Sequence, residues 1–98
     1  MKIGTLVIYS FRKSVKRELR EKFRREFLGY NDKSNFGKYD YKRHGLLSRL
    51  PHVKLGKSLV IIKNEDKRKV VKILKKYNMT YTVRNILLNK SDSKAISV

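Results

Sequence analysis

Residues 3–11 read IGTLVIYSF, a nearly unbroken apolar run rich in β-branched and aromatic side chains. A run this short is a strand rather than a buried helix, and apolar residues at successive positions put it where both faces are covered. The stretch that follows changes period. Val15, Leu19, Phe23 and Phe27 recur every fourth residue, while Arg17, Arg20, Arg24 and Arg25 project from the other side. Glu18 with Lys22, and Glu21 with Arg25, add favourable pairs four apart. The spacing predicts a helix from Ser14 to Leu28, stopped by Gly29.

Further along, residues 30–37 (YNDKSNFG) are turn formers and read as a loop. Lys38–His44 (KYDYKRH) alternates, with Tyr39 and Tyr41 on one face, which is the pattern of a half-exposed strand. Gly45–Pro51 reads as an irregular connection, and the chain from His52 leads into a second apolar strand, Ser58–Lys63 (SLVIIK). Asn64 offers a capping side chain, with Glu65 and Asp66 in the first turn of a helix running to about Tyr77. Val70, Ile73, Leu74 and Tyr77 form its buried stripe, Asn78 stops it, and Met79–Leu88 is a last, alternating strand. Asn89–Val98 is polar and without periodicity, a loose tail.

The order β-α-β-β-α-β predicts an α+β, ferredoxin-like sandwich, a four-stranded antiparallel sheet with two helices on one face. It gives one domain over residues 1–88 and a polar tail over 89–98. The first and third strands are the continuous apolar ones, as the two central strands of that topology require. Their outward side chains then need cover on the open face, from a second copy of the chain or from unpaired bases.

Charge points to the partner. The 98 residues carry 26 Lys and Arg against 8 acids, a net charge of +18. Crowded like charges weaken a small fold, so such an excess implies an anionic partner, and nucleic acid gains most from it through counterion release. An anionic membrane surface and an acidic protein are the rivals. With 40% apolar residues the chain has material for a core. The lack of cysteine removes disulfides, thiolate zinc sites and cysteine nucleophiles. No apolar run approaches the roughly 18 residues that cross a bilayer, and no cleavage signal follows the first strand, so a cytoplasmic protein is expected.

The richest segment for contact interleaves Tyr30, Phe36, Tyr39 and Tyr41 with Lys33, Lys38, Lys42, Arg43, His44, Arg49 and Lys54. Cations neutralise phosphates and aromatic rings stack on unpaired bases. The alternative for each ring is a place in the core. From Lys13 to Glu26 seven cations meet only three glutamates, so Arg17, Arg20, Arg24 and Arg25 form a phosphate-tracking face or a solvated one. Lys67, Arg68, Lys69, Lys72, Lys75 and Lys76 repeat the theme on the second helix. This spread suits backbone or shape recognition, as in a component of a larger ribonucleoprotein. His44 and His52 flank a turn, yet no spacing rule makes them an acid–base pair. A magnesium site would need converging carboxylates, and the acids outside the first helix are Asp32, Asp40, Glu65, Asp66 and Asp92, of which Glu65 and Asp66 read more simply as first-turn acids and Asp40 as an ion-pair partner.

The run LVIYSF in a chain of this length and element order resembles the Cas2 proteins of CRISPR systems. That resemblance implies a dimer that binds duplex DNA, with metal-dependent nuclease activity in some members. The family's first strand ends in a tyrosine–aspartate pair, and here Tyr9 is followed by Ser10, so the metal-holding acid is missing. Small ferredoxin-like ribosomal proteins compare equally well. The expectation is a non-catalytic nucleic-acid-binding protein, RNA favoured over DNA, without cofactor, metal, membrane or small-molecule substrate. Its alternatives are a Cas2-like dimeric DNA adaptor or nuclease, and a scaffold or inhibitor that docks on an acidic protein.

Overall fold

A computed structural model describes residues 2–34 and 39–98, leaving aside the side chains of 32–34 and 39–41. The apolar run forms β1 (Ile3–Ser10), which lies inside the sheet between two antiparallel neighbours. Alternation along the strand sends Thr5, Val7 and Tyr9 to one face, where all three are buried. After β1 come α1 (Arg17–Leu28), β2 (Gly29–Ser34), β3 (Tyr39–His44), β4 (His52–Gly56) and β5 (Leu59–Ile62). The chain then runs through α2 (Lys67–Lys76), β6 (Thr80–Leu87) and α3 (Lys90–Ala95). Strands β4, β5, β1 and β6 make one antiparallel four-stranded sheet in that order, with β1 and β5 central. Phe23 and Phe27 of α1, with Val70 and Leu74 of α2, pack on Val7, Tyr9, Val60 and Ile62, so both helices cover the same face. The fold is the expected ferredoxin-like sandwich.

The edge strand beside β5 is not Lys38–His44 as the alternation suggested. That segment, described from Tyr39, folds back on Gly29–Ser34 as a separate two-stranded hairpin, with Gly29 opposite His44 and Ser34 opposite Tyr39. The residues 30–34 expected in a loop are therefore the hairpin's first strand. The sheet edge is instead β4, five residues that had looked like the lead-in to β5. Its register with β5 shifts between Lys54 and Gly56, an irregularity that breaks the alternation at Leu55.

Two glycines explain the hairpin. Gly29 ends α1 with φ +85, a left-handed conformation that side chains resist. A Cβ on Gly29 would stand 2.3 Å from the Arg43 carbonyl oxygen, and one on Gly45 would stand 2.4 Å from the Gly29 nitrogen. The two backbones meet where only glycine fits, and the hairpin is rooted on the end of α1.

Helix α1 is shorter than its apolar stripe suggested. Lys16 is extended and Val15 precedes the helix, while Leu19 is 45% exposed. At 3.6 residues per turn a strict four-residue repeat drifts by about 40° each step. Phe23 and Phe27 thus face the core and the earlier members of the series turn away. In α2 the expected stripe holds, with Val70 and Leu74 fully buried and Ile73 and Tyr77 packed at the margin. Asn64 does not cap the helix; its side-chain carbonyl accepts the Thr5 hydroxyl instead.

The polar end also has structure. Asn89 accepts the Asp92 N–H on its side chain at 2.7 Å and starts α3. Ile96, just beyond it, is fully buried against Ile61 and Leu88 on the sheet face away from the helices. A six-residue helix with one apolar anchor has no periodicity to read. The face expected to lie open is thus covered in part by the chain's own end, leaving Ile8 45% and Leu55 52% exposed.

The backbone contact at the hairpin root is testable. Gly45→Ala is expected to lower the unfolding free energy in urea by about 3 kcal/mol, the upper range for overpacking. Gly56→Ala, where an added Cβ meets nothing within 4 Å, is expected to stay within about 0.5 kcal/mol. Equal losses in the two variants would show that the close approach does not exist.

Candidate nucleic-acid interface

The four arginines of α1 do not form one free face. Arg17 and Arg25 share the solvent side with Glu18 and Glu21, a surface of mixed sign. Arg20 and Arg24 lean on Phe11, their guanidinium carbons 5.2 and 5.6 Å from the ring centroid. Arg24 also pairs with Glu21 at 3.0 Å. Arg20 is half-buried, and its Nε is enclosed without a hydrogen-bond partner. Arg25 sits 4.9 Å over the ring of Tyr30, which is 40% exposed. Cation–π contacts of this kind hold the arginines in place at about 0.5–1 kcal/mol each where exposed.

At the hairpin root, Lys42 and Arg43 flank a shallow recess with Tyr30 and Asn31. Lys33, Phe36, Lys38, Tyr39 and Tyr41 lie outside the described residues or side chains. His44 and Arg49 border a groove between α1 and α2, together with Glu26. The His52 Nδ1 is 2.8 Å from the Leu50 carbonyl oxygen, so that nitrogen is engaged locally.

Glu26 clasps the two helices. The Lys76 Nζ donates to its two oxygens at 2.9 and 3.0 Å, and the Tyr77 hydroxyl donates to Oε2. The Tyr77 and Lys76 hydrogen bonds hold the Glu26 carboxyl below its usual range. Burial, helped by the neighbouring carboxylate, pushes Tyr77 up to about 12. The clasp removes one cation from the free charge of α2, and Asp66 removes another by facing Lys69 at 3.7 Å.

What remains on α2 is of one sign. Lys67, Arg68, Lys72 and Lys75 surround Val71 on the outer side of the helix with no acid among them. Among the described residues none of the four has an ion-pair partner. Arg68, Lys72 and Lys75 recur at roughly one per turn, about 5.4 Å along the axis. The signal was present in the sequence, since no acid occurs between Asp66 and Asp92. Local acids divert much of the α1 charge, so the cleanest cation stripe is on α2.

A second basic region lies where β1 ends. Lys54 and Lys57 stand with Arg24 around a cavity of about 370 Å³ floored by Tyr9 and Met79. The Tyr9 hydroxyl donates to the Lys57 carbonyl at 3.1 Å, and burial raises its pKa, which keeps the proton in place. Lys57 closes the basic segment of the sequence without being among its named contacts, and it lies in the turn between β4 and β5. Among the described residues no three His, Asp or Glu side chains converge as a metal-binding group, and no helix is long and apolar enough to cross a membrane. The chain matches no protein-family model, no curated protein and no solved structure.

The clasp should appear in the pH dependence of stability. Glu26 is depressed on folding, so its contribution is present above its unfolded pKa and is lost as pH falls through the folded value. Tyr77 is raised, so its contribution is full below about 10 and is lost as pH rises through about 12. In Glu26→Gln both effects are expected to shrink when urea midpoints are followed from acid to alkaline pH. A profile unchanged from the parent protein would rule the clasp out.

Proposed function

We propose that this chain is a non-catalytic nucleic-acid-binding protein that prefers RNA to DNA and engages phosphates through α2 and the neighbouring basic surfaces. The observation that carries the reading is the stripe of Lys67, Arg68, Lys72 and Lys75, unpaired among the described residues and with no acid lining it, on a chain of net charge +18. Side chains in that state release counterions when they meet a phosphate backbone. Among the described residues these four hold no ion pair that must be broken first. Lys42 and Arg43 at the hairpin root and Lys54 and Lys57 at the sheet end extend the surface. Tyr30 beside Arg25 supplies an aromatic and a cation together, which suits a strand with unstacked bases and so favours RNA. The Ser10 that follows Tyr9 supports a binding role over metal-dependent cleavage.

The test is a salt series with single-stranded and duplex RNA and DNA of one sequence, with magnesium present. Binding is expected to be tightest for single-stranded RNA and to fall steeply with salt, with the nucleic acid intact afterwards. Replacing Lys67, Arg68, Lys72 and Lys75 together by Gln is expected to flatten the log–log salt slope by about 3, at roughly 0.7 per lost single-strand phosphate contact. Surface changes of this kind leave folding stability within about 0.5 kcal/mol per site. An unchanged slope in the variant, or cleavage that stops with chelator, would overturn the proposal.

A further inference from the structure

The cavity at the end of β1 has more than charge. Tyr9, Phe23 and Met79 form a buried apolar floor, and Phe11 and Leu28 give half-buried walls. Its mouth carries Arg24, Lys54 and Lys57, and no carboxylate lines it. Among the described residues Lys54 and Lys57 have no ion pair, and Arg24 spends one donor on Glu21. Ser10 and Ser58 also line the space; Ser10 alternates to the other sheet face from Tyr9, while Ser58 lies opposite Tyr9 and shares its face. Among the described residues the Ser58 hydroxyl has no hydrogen-bond partner. The Tyr9 N–H donates to the Ser58 carbonyl at 3.0 Å, which ties the turn after β4 to the end of β1 and holds Ser58 at the mouth. The volume, about 370 Å³, lies in the range of small-ligand sites, which are apolar clefts with a few convergent polar groups.

We propose that this recess takes one unpaired nucleobase, read at its edge by the Ser58 hydroxyl, with the attached phosphate held by Arg24, Lys54 and Lys57. An aromatic and thioether floor suits a flat ring, an uncommitted hydroxyl can donate or accept, and a cationic rim suits a phosphate. An apolar ligand would leave the rim unused, and a bare anion would leave the floor unused. The base belongs either to a single strand or to a free mononucleotide. The first source rests on the nucleic-acid reading above and gives that reading a point of base contact.

The chain has two methionines, Met1 and Met79, so methyl-labelled methionine in the full chain places one of two NMR signals at the floor. Adenosine monophosphate, an eight-residue adenylate RNA and inorganic phosphate would be titrated in parallel. The RNA, the mononucleotide or both are expected to move the Met79 methyl while phosphate alone does not. A shift with RNA assigns the base to a strand, and a shift with the mononucleotide alone assigns it to a free nucleotide. Ser58→Tyr, which fills the recess, is expected to abolish the shift and, for a strand-borne base, to weaken RNA binding by about tenfold. Lys54→Gln with Lys57→Gln is expected to weaken both ligands without filling the space, so a folding defect in the first variant leaves the test intact. If neither nucleotide ligand moves Met79, or phosphate alone reproduces the shift, the recess is not a base site. RNA bound with a steep salt slope and Met79 unmoved by either nucleotide would overturn this inference and leave the proposed function standing. RNA that does not bind at all would overturn the proposed function.

Discussion

Everything in this molecule is arranged around the need to cover both faces of β1. The strand sits between β5 and β6 and alternates by two, so Thr5, Val7 and Tyr9 go to one side while Leu6 and Ile8 go to the other. The first side is closed by α1 and α2, with Tyr9 set edge-on to Phe27 at 5.3 Å and to Phe23 at 5.9 Å. The second side has no layer of its own. A chain of 98 residues has little material to spare for one, and the cover it finds is its last few residues, pinned by Ile96. The cover stops short of Ile8, which remains the exposed end of the strand.

The distribution of acids shapes the electrostatics more than the distribution of bases does. Cations are spread over both helices, the hairpin and the sheet end, whereas the few acids act at particular places. Glu21 meets Arg24, Glu26 joins α1 to α2, Asp66 faces Lys69, and Glu65 approaches Lys63 at 3.6 Å. Each of these pairs is partly exposed, so its worth to stability is modest. Their effect on the surface is larger, because they decide which cations stay uncompensated. The acids of α1 leave that helix mixed, and the stretch after Asp66 carries none until Asp92.

Much of the fold was legible because its signals were local. The run Ile3–Phe11, the stops at Gly29 and Asn78, and the stripe of Val70 and Leu74 each depend on residues close in sequence. The edge strand was misplaced because alternation identifies a half-exposed strand without naming its neighbour. KYDYKRH satisfied the pattern as well as the true edge did, and the fact that excludes it, the meeting of Gly29 and Gly45, is a contact across sixteen positions. The tail was missed for the opposite reason, since one buried isoleucine is not a pattern. Of the interface, the α2 stripe was visible as an acid-free stretch. The recess was not, because Ser10, Arg24, Lys57, Ser58 and Met79 come together only when the sheet and α1 are assembled.

The same geometry weighs the anionic partners against one another. A protein partner of ordinary affinity needs an apolar centre to its interface, with aromatic or aliphatic anchors that exclude water. The α2 stripe offers only Val71, half-buried between cations. The exposed Ile8 belongs to the sheet face opposite the one that the helices cover. Ile8 and the α2 stripe therefore fall on different sides of the sheet. A polyanion has no need of the apolar centre, because its affinity comes from released counterions along a repeating backbone. At the recess at the end of β1 cations and apolar side chains share one mouth, of a size that suits a base rather than a protein surface.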